Sequence, residues 1–475
     1  MGRASEASTA FETAITACAG DATMDGARLL FDAGRAAAKG GNLPKAITRY
    51  MALEEQFPTS SLTDDARIER AKAALENQDD AAFAAALAPI VADYPKGDLT
   101  GDGAFLLAIT LAKRGDWKGA IAPLTTGAAL ERERMYYRAG RFEYFRGRAL
   151  AETGDDAGAR GAYARVLADY PLSYYAAMAC ARSEELEAGA CAKALDRASN
   201  ASEPAMPDDA TRAALPFRAA ELLTALDDGP MVMVALDALG VGDRSAAPET
   251  TTAGALLLAR TSTPALGHLL LRSASETEPR AGRNEAVGYR DAFATGAWRE
   301  VWEAAYPRPF ADAVKKASTE SGVPEPFLFA VMREESAFDP NAVSKAGALG
   351  LTQVMPIVGK RGAKRLGLPD GDADFLDPEE NVRLGAHFMK QMRDRFSGDV
   401  LLAIPAYNAG PLAPEGWAKD RPGMALDLFV EDMPYTETRN YTKRVIGSLF
   451  VYEFLSGAGA SGEAARSPRL AVPAP

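Results

Sequence analysis

The sequence predicts a mainly α-helical protein, with an N-terminal solenoid of stacked helix pairs followed by a separate helical domain. Alanine dominates and β-branched residues are sparse, which favours helix nearly throughout. The polar turn residues Asn42, Asp79, Asp116 and Asp155 recur 37, 37 and 39 residues apart. That period is expected of helix–turn–helix units, each with an apolar stripe it cannot bury alone. Finally, Pro307 and Pro309 break the chain into an extended linker ahead of a last domain.

Taken in order, residues 1–26 form an N-terminal segment with no apolar h-region, so no signal peptide is visible. Residues 27–194 are the repeat arm. In three of its units an aromatic–proline pair follows the turn residue at constant offset: Phe57-Pro58, Tyr94-Pro95 and Tyr170-Pro171. In the remaining unit Arg132 stands at the proline position. The units resemble tetratricopeptide (TPR) repeats, slightly lengthened. Residues 195–305 open with a Ser-, Asp- and Pro-rich linker and continue as short helical runs. Residues 306–455 are the last domain, and 456–475 have the composition of a disordered tail.

The last domain is organised around FLFAVMREESAFDPNAVSKAGALGLTQVMP, residues 327–356. Phe327, Leu328, Val331 and Met332 cluster on one face at about 100° per residue. Glu335 projects near the centre of that face, Glu334 at its edge and Arg333 on the opposite side. One carboxylate is therefore expected to face water and the other the interior. A carboxyl group on an apolar face loses solvation of its charged form, so its pKa rises and it can donate a proton near neutrality. Ser336, Asp339 and Pro340 end the helix. Gly347 and Gly350 permit a tight path. Gln353 and Met355 share one side of the following segment if it is extended. Downstream, 376–396 reads as an amphipathic helix in which His387 has a packing role.

This run resembles the catalytic signature of the soluble lytic transglycosylase family: Glu-Ser, then Ala-x-Asn/Asp-Pro, a Ser, and Gly-Ala-x-Gly-Leu-x-Gln-x-Met-Pro. Here it reads ESAFDP, Ser344 and GALGLTQVMP. AYNAGP at 406–411 resembles the second family signature, and MPYTETRNYTKRV at 433–445 the third. Leu412 and Pro414 stand where the family often continues with a glycine. PLSYYAAMA at 171–179 resembles a motif of the family's helical arm.

The resemblance implies a goose-lysozyme-like α-helical catalytic domain behind a TPR-like arm. It implies Glu335 as the single catalytic acid and base, with Ser344, Gln353, Met355, Tyr407, Asn408 and Glu437 contacting or orienting the glycan. Tyr407 would lie near Glu335. The implied substrate is the peptidoglycan glycan strand, cut between N-acetylmuramic acid and N-acetylglucosamine with a 1,6-anhydro product. The implied place of action is the periplasm or cell envelope, and the arm would be free to meet envelope proteins. The alternatives are a hydrolytic muramidase and a non-catalytic, glycan-binding scaffold.

Composition limits the rest. A formal net charge of −12 with no basic stripe argues against nucleic acid. No apolar run reaches the roughly eighteen residues that a bilayer span needs. With three cysteines, two histidines and no CxxC pair, a structural zinc is not expected, and the family resemblance implies no cofactor. Cys180 and Cys191 can pair in an oxidising compartment, but buried free thiols, the commoner outcome, are expected.

Overall fold

The computed structural model describes residues 2–17, 24–130, 135, 137–200, 202–276, 288–368, 375–458 and 462. Cys18, Arg132 and nearly all of the expected tail lie outside them. The described residues form helices throughout, and the only pairing of extended backbone is the isolated bridges Val343–Leu349 and Leu349–Val354. None of these helices is long and apolar enough to cross a membrane. The chain divides into two compact units, Met1–Arg132 with Phe145–Ala159, and Glu133–Tyr144 with Arg160–Pro475.

The first unit is built of antiparallel helix pairs: Gly26–Lys39 with Leu43–Gln56, Thr63–Glu76 with Asp80–Leu87, and Thr100–Lys113 with Trp117–Ala128. The recurring polar residues prove to be N-caps. Asn42, Asp79 and Asp116 accept from the backbone N–H of Lys45, Ala82 and Gly119, three residues on. Each satisfies a donor that the first helical turn leaves unpaired. Phe57 and Tyr94 close the helices before them, and the proline after each prevents continuation. Leu30, Phe31, Tyr50 and Leu53 form one buried cluster of the arm. Gly34 sits under the Tyr50 ring, where a Cβ would lie 2.5 Å from a ring carbon. Close helix packing here requires glycine.

In the second unit, the helix Glu325–Glu335 packs against the long helix Thr436–Leu455, called the last helix below. The helix Val400–Ala409 lies against both Pro378–Arg395 and the last helix. Phe327 through Arg333 are all buried, so the Glu335 helix has no wet side along this stretch. This corrects the one-faced reading of that helix. Arg333 does not point to water; it is 0% exposed, with its guanidinium 4.0 Å from the centre of the Tyr306 ring.

Two further features tie the unit together. Cys180 and Cys191 form a disulfide, with Cα atoms 4.9 Å apart, which corrects the expectation of free thiols. They lie on consecutive short helices, Tyr174–Leu186 and Ala190–Asp196, whose hairpin brings positions 11 apart into bonding range. The Tyr174–Leu186 helix also packs on the last helix through a buried polar network. Lys443 Nζ donates to Glu431 Oε2 (2.7 Å) and to the Tyr175 hydroxyl (2.9 Å). Tyr175 donates in turn to Glu431 Oε1 (2.6 Å). Burial pulls Lys443 down to about 8 against the opposing pull of Glu431.

Candidate active site

Glu335 ends its helix, and the chain then turns sharply. Ala337 and Phe338 are consecutive non-glycine residues in the left-handed region, with φ of 50° and 67°. Such backbone is costly unless neighbours hold it. Here the Ser336 hydroxyl donates to Leu351 O (2.8 Å) and accepts from the Phe338 N–H (3.1 Å). Phe338 is buried edge-on to His268, 5.7 Å between ring centres. Glu335 is thus fixed from behind its own helix end.

The glycine-rich loop folds back beside it. Gly350 has φ of 73°, and a Cβ there would lie 2.5 Å from the Phe375 carbonyl oxygen, so only glycine fits. Asn381, fully buried on the Pro378–Arg395 helix, clamps this loop. Its amide nitrogen donates to Leu349 O (2.9 Å) and Phe375 O (2.7 Å), and its oxygen accepts from the Thr352 N–H (2.8 Å). No motif reading singled it out; only the fold brings it beneath the loop.

The segment after Leu351 is not extended. Gln353 has φ of 50°, and its side chain turns inward to donate to Ala342 O (3.1 Å) and Gly350 O (2.9 Å). The expected shared side for Gln353 and Met355 is therefore corrected. Gln353 braces the loop, whereas Met355 is 39% exposed. Ser344 also holds the loop, accepting from the Ala348 N–H (2.9 Å).

Tyr407 is buried on the Val400–Ala409 helix and donates to Thr352 O (2.7 Å). Burial and the charge of Glu335 raise its pKa well above the usual phenol range, so it stays a neutral donor. The tyrosine that touches the acid is another one. Tyr441 donates to Glu335 Oε1 at 2.6 Å. It lies within the third signature, but its helical register toward Glu335 emerges only from packing. Asn408 is exposed and accepts from the Thr438 hydroxyl (2.7 Å), linking its helix to the last one. Glu437 stands exposed in the first turn of the last helix, close enough to act on Glu335 electrostatically.

The two adjacent carboxylates have opposite fates. The Glu334 side chain is 0% exposed. Burial alone would raise its pKa, but Arg272, Arg333 and Arg444 and the Ser448 hydroxyl hold it well below the usual carboxylate range. It accepts from Arg333 (2.6 Å), Ser448 (2.7 Å) and Arg272 (3.2 Å), and lies 3.3 Å from Arg444. Glu335, half-buried beside it, is raised to about 7. Burial is the main cause; the Tyr441 hydrogen bond opposes it, the charges of Glu334 and Glu437 reinforce it, and Arg444 pulls it down. The result is a permanent anion next to an acid that can keep or release a proton near neutrality.

Comparison with known proteins bears on both parts of the chain. Residues 312–426 match the family described as the transglycosylase SLT domain, and residues 24–196 match one described as an outer membrane lipoprotein (YfiO). The chain is 30% identical over 158 residues to a soluble lytic murein transglycosylase of Escherichia coli K12, covering 33% of this chain and 24% of that protein. A putative soluble lytic murein transglycosylase of Haemophilus influenzae is 32% identical over 151 residues, 31% of this chain and 26% of that protein. These matches span about a quarter of the relatives' length.

Among solved structures, the 70 kDa soluble lytic transglycosylase SLT70 of Escherichia coli superposes with a TM-score of 0.63 at 19% identity, covering 94% of this chain and 66% of that one. An inactive mutant of the lytic transglycosylase Slt of Pseudomonas aeruginosa gives 0.62 at 20% identity, covering 96% of this chain and 68% of that one. These likenesses establish the fold: a helical-repeat arm followed in sequence by a helical SLT-type domain. The resemblance to the soluble lytic transglycosylases, first read in three short signatures, is borne out by the family match and the relatives: the domain that carries Glu335 is an SLT domain.

Proposed function

We propose that this protein is a peptidoglycan lytic transglycosylase that works in the periplasm or cell envelope. The observation that carries the reading is the Glu335 carboxyl, half-buried, raised to about 7 and fixed by the Tyr441 hydroxyl. In its acid form Glu335 protonates the glycosidic oxygen as the C1–O bond of N-acetylmuramic acid breaks. The carboxylate left behind takes the proton of the same sugar's C6 hydroxyl, and O6 closes onto C1. The bond lost at C1 is replaced within one sugar, no water is consumed, and Glu335 recovers its proton. Tyr441 supports the intermediate carboxylate through a charge-assisted hydrogen bond. Tyr407 holds the Thr352 carbonyl, Gln353 and Ser344 brace the loop, and Met355, Asn408 and Glu437 are left accessible to glycan.

Charge bookkeeping supports one carboxyl used twice. Of the two acids that act on Glu335, Glu334 is locked among arginines and Glu437 is solvated. A hydrolytic muramidase needs a second carboxylate as base or nucleophile, and Glu437 would have to serve. Mass spectrometry of digested sacculi separates the two readings. The expected products end in 1,6-anhydro-N-acetylmuramic acid; reducing N-acetylmuramic acid ends would overturn the proposal. Absence of any cleavage would leave a glycan-binding scaffold.

The pH dependence has a fixed sign. The first step needs the protonated acid, so the rate on dilute soluble glycan strands is expected to fall about tenfold per pH unit above about 7. A rate that rises from pH 6 to pH 9 would sink the assignment of Glu335 as proton donor.

A further inference from the structure

The last helix reads both carboxylates with a single stripe. Glu437, Tyr441, Arg444 and Ser448 are spaced i, i+4, i+7 and i+11, which places them on one face. Tyr441 meets Glu335, Ser448 and Arg444 meet Glu334, and Glu437 acts on Glu335 from the first turn. Arg272 adds a second anchor, donating both to Glu334 Oε2 (3.2 Å) and to the Arg333 carbonyl (2.9 Å). The Arg333 guanidinium donates to Glu334 Oε1 and lies over the Tyr306 ring. Among the described residues, the other titratable groups that feel the pair include His268, which burial keeps neutral, and Tyr306, Tyr407 and Tyr452, whose phenols burial keeps protonated. A buried ion cluster of this size is expensive to desolvate and is weak support for stability alone. Its placement, one residue from the proton donor, calls for another role.

We propose that Glu334 is a positioning residue for the proton on Glu335: an anion pinned by Arg272, Arg333 and Ser448, it opposes the nearby Arg444 guanidinium and so keeps Glu335 in its acid form. This rests on the reading of Glu335 as proton donor and adds the device that sets when it is protonated. Two like charges on adjacent residues at one helix end repel in a poorly hydrated site, which disfavours ionising the second. Since arginine cannot discharge at these pH values, Glu334 stays ionised over the whole working range. The opposing weights sit on separate side chains, so each can be removed alone.

The test uses the full chain and two variants, Glu334→Gln and Arg444→Gln. Protonation of Glu335 is followed directly as the protonated-carboxyl infrared band that Glu335→Gln removes, recorded against pH. In Glu334→Gln the midpoint is expected to fall by about one pH unit or more, because the arginines now act on Glu335 alone. In Arg444→Gln it is expected to rise. The alkaline limb of glycan cleavage should move the same way in each. Mere loosening of the helix end would move both midpoints in one direction. Such parallel shifts, or a midpoint unchanged in Glu334→Gln, would overturn the proposal. If Glu334→Gln does not fold, Arg444→Gln decides alone, since an unchanged or lowered midpoint overturns it. Opposite shifts in a protein that cuts no glycan would support the device and reject the proposed function.

Discussion

Replacing Glu335 by Gln is expected to abolish glycan cleavage and, at pH 8, to raise the melting temperature. The loss should be at least about a thousandfold, the range for removing a general acid on which both steps depend. Gln keeps the volume and can still accept from Tyr441, so the site's shape survives. The stability gain follows from linkage. The folded pKa of Glu335 is about 7, whereas an unfolded chain ionises near the ordinary value of 4.5. Between these values the unfolded state releases a proton that the fold retains, so wild-type stability falls as pH rises through that window. Below it the two proteins should melt together; above it Gln should lead by up to about 3 kcal/mol. Paired melting curves at pH 4 and pH 8 measure the gap. A variant that melts lower at pH 8, or retains a tenth of the wild-type activity, would contradict the role given to this side chain.

The largest expected destabilisation lies away from the acid, in the Glu431–Lys443–Tyr175 network. Lys443→Met removes the cation and leaves a buried carboxylate with Tyr175 as its remaining side-chain donor in that network. Breaking one half of such a pair costs about 3–5 kcal/mol, because the stranded charge loses its partner without regaining water. Adding Glu431→Gln removes the stranded charge while keeping an acceptor for the Tyr175 hydroxyl. The double variant should therefore recover most of the loss. The double-mutant cycle, measured by thermal melting, should give a coupling well above the few tenths of a kcal/mol seen for independent sites. Additive effects would mean that the network contributes shape and no charge pairing.

Much of the architecture was legible in the chain. Turn residues at constant spacing predicted helix pairs because capping chemistry is local: Asn42, Asp79 and Asp116 each satisfy a donor three residues ahead. The last domain was legible through short signatures that bracket Glu335. What failed was whatever depended on partners distant in sequence. Helical periodicity places Arg333 opposite the apolar face and Glu334 at its edge because it assumes one solvated face. Once Arg272 and the last helix cover that face, the two residues become a buried ion cluster. Period two puts Gln353 and Met355 on one side only of an extended run, and Asn381 instead holds the loop in a turn from a helix some thirty residues on. Tyr441 was visible as a letter in a motif, while its bond to Glu335 spans 106 residues.

The sulfur–sulfur bridge between Cys180 and Cys191 bears on how the protein must be produced. Its closed ring is short, so it tethers a local hairpin and contributes about 2–3 kcal/mol by restricting the denatured chain. Chain made where glutathione prevails will carry two thiols in its place. Material purified from bacterial cytosol is thus a different covalent species from exported material, and its hairpin beside the Tyr175 contact will open more readily.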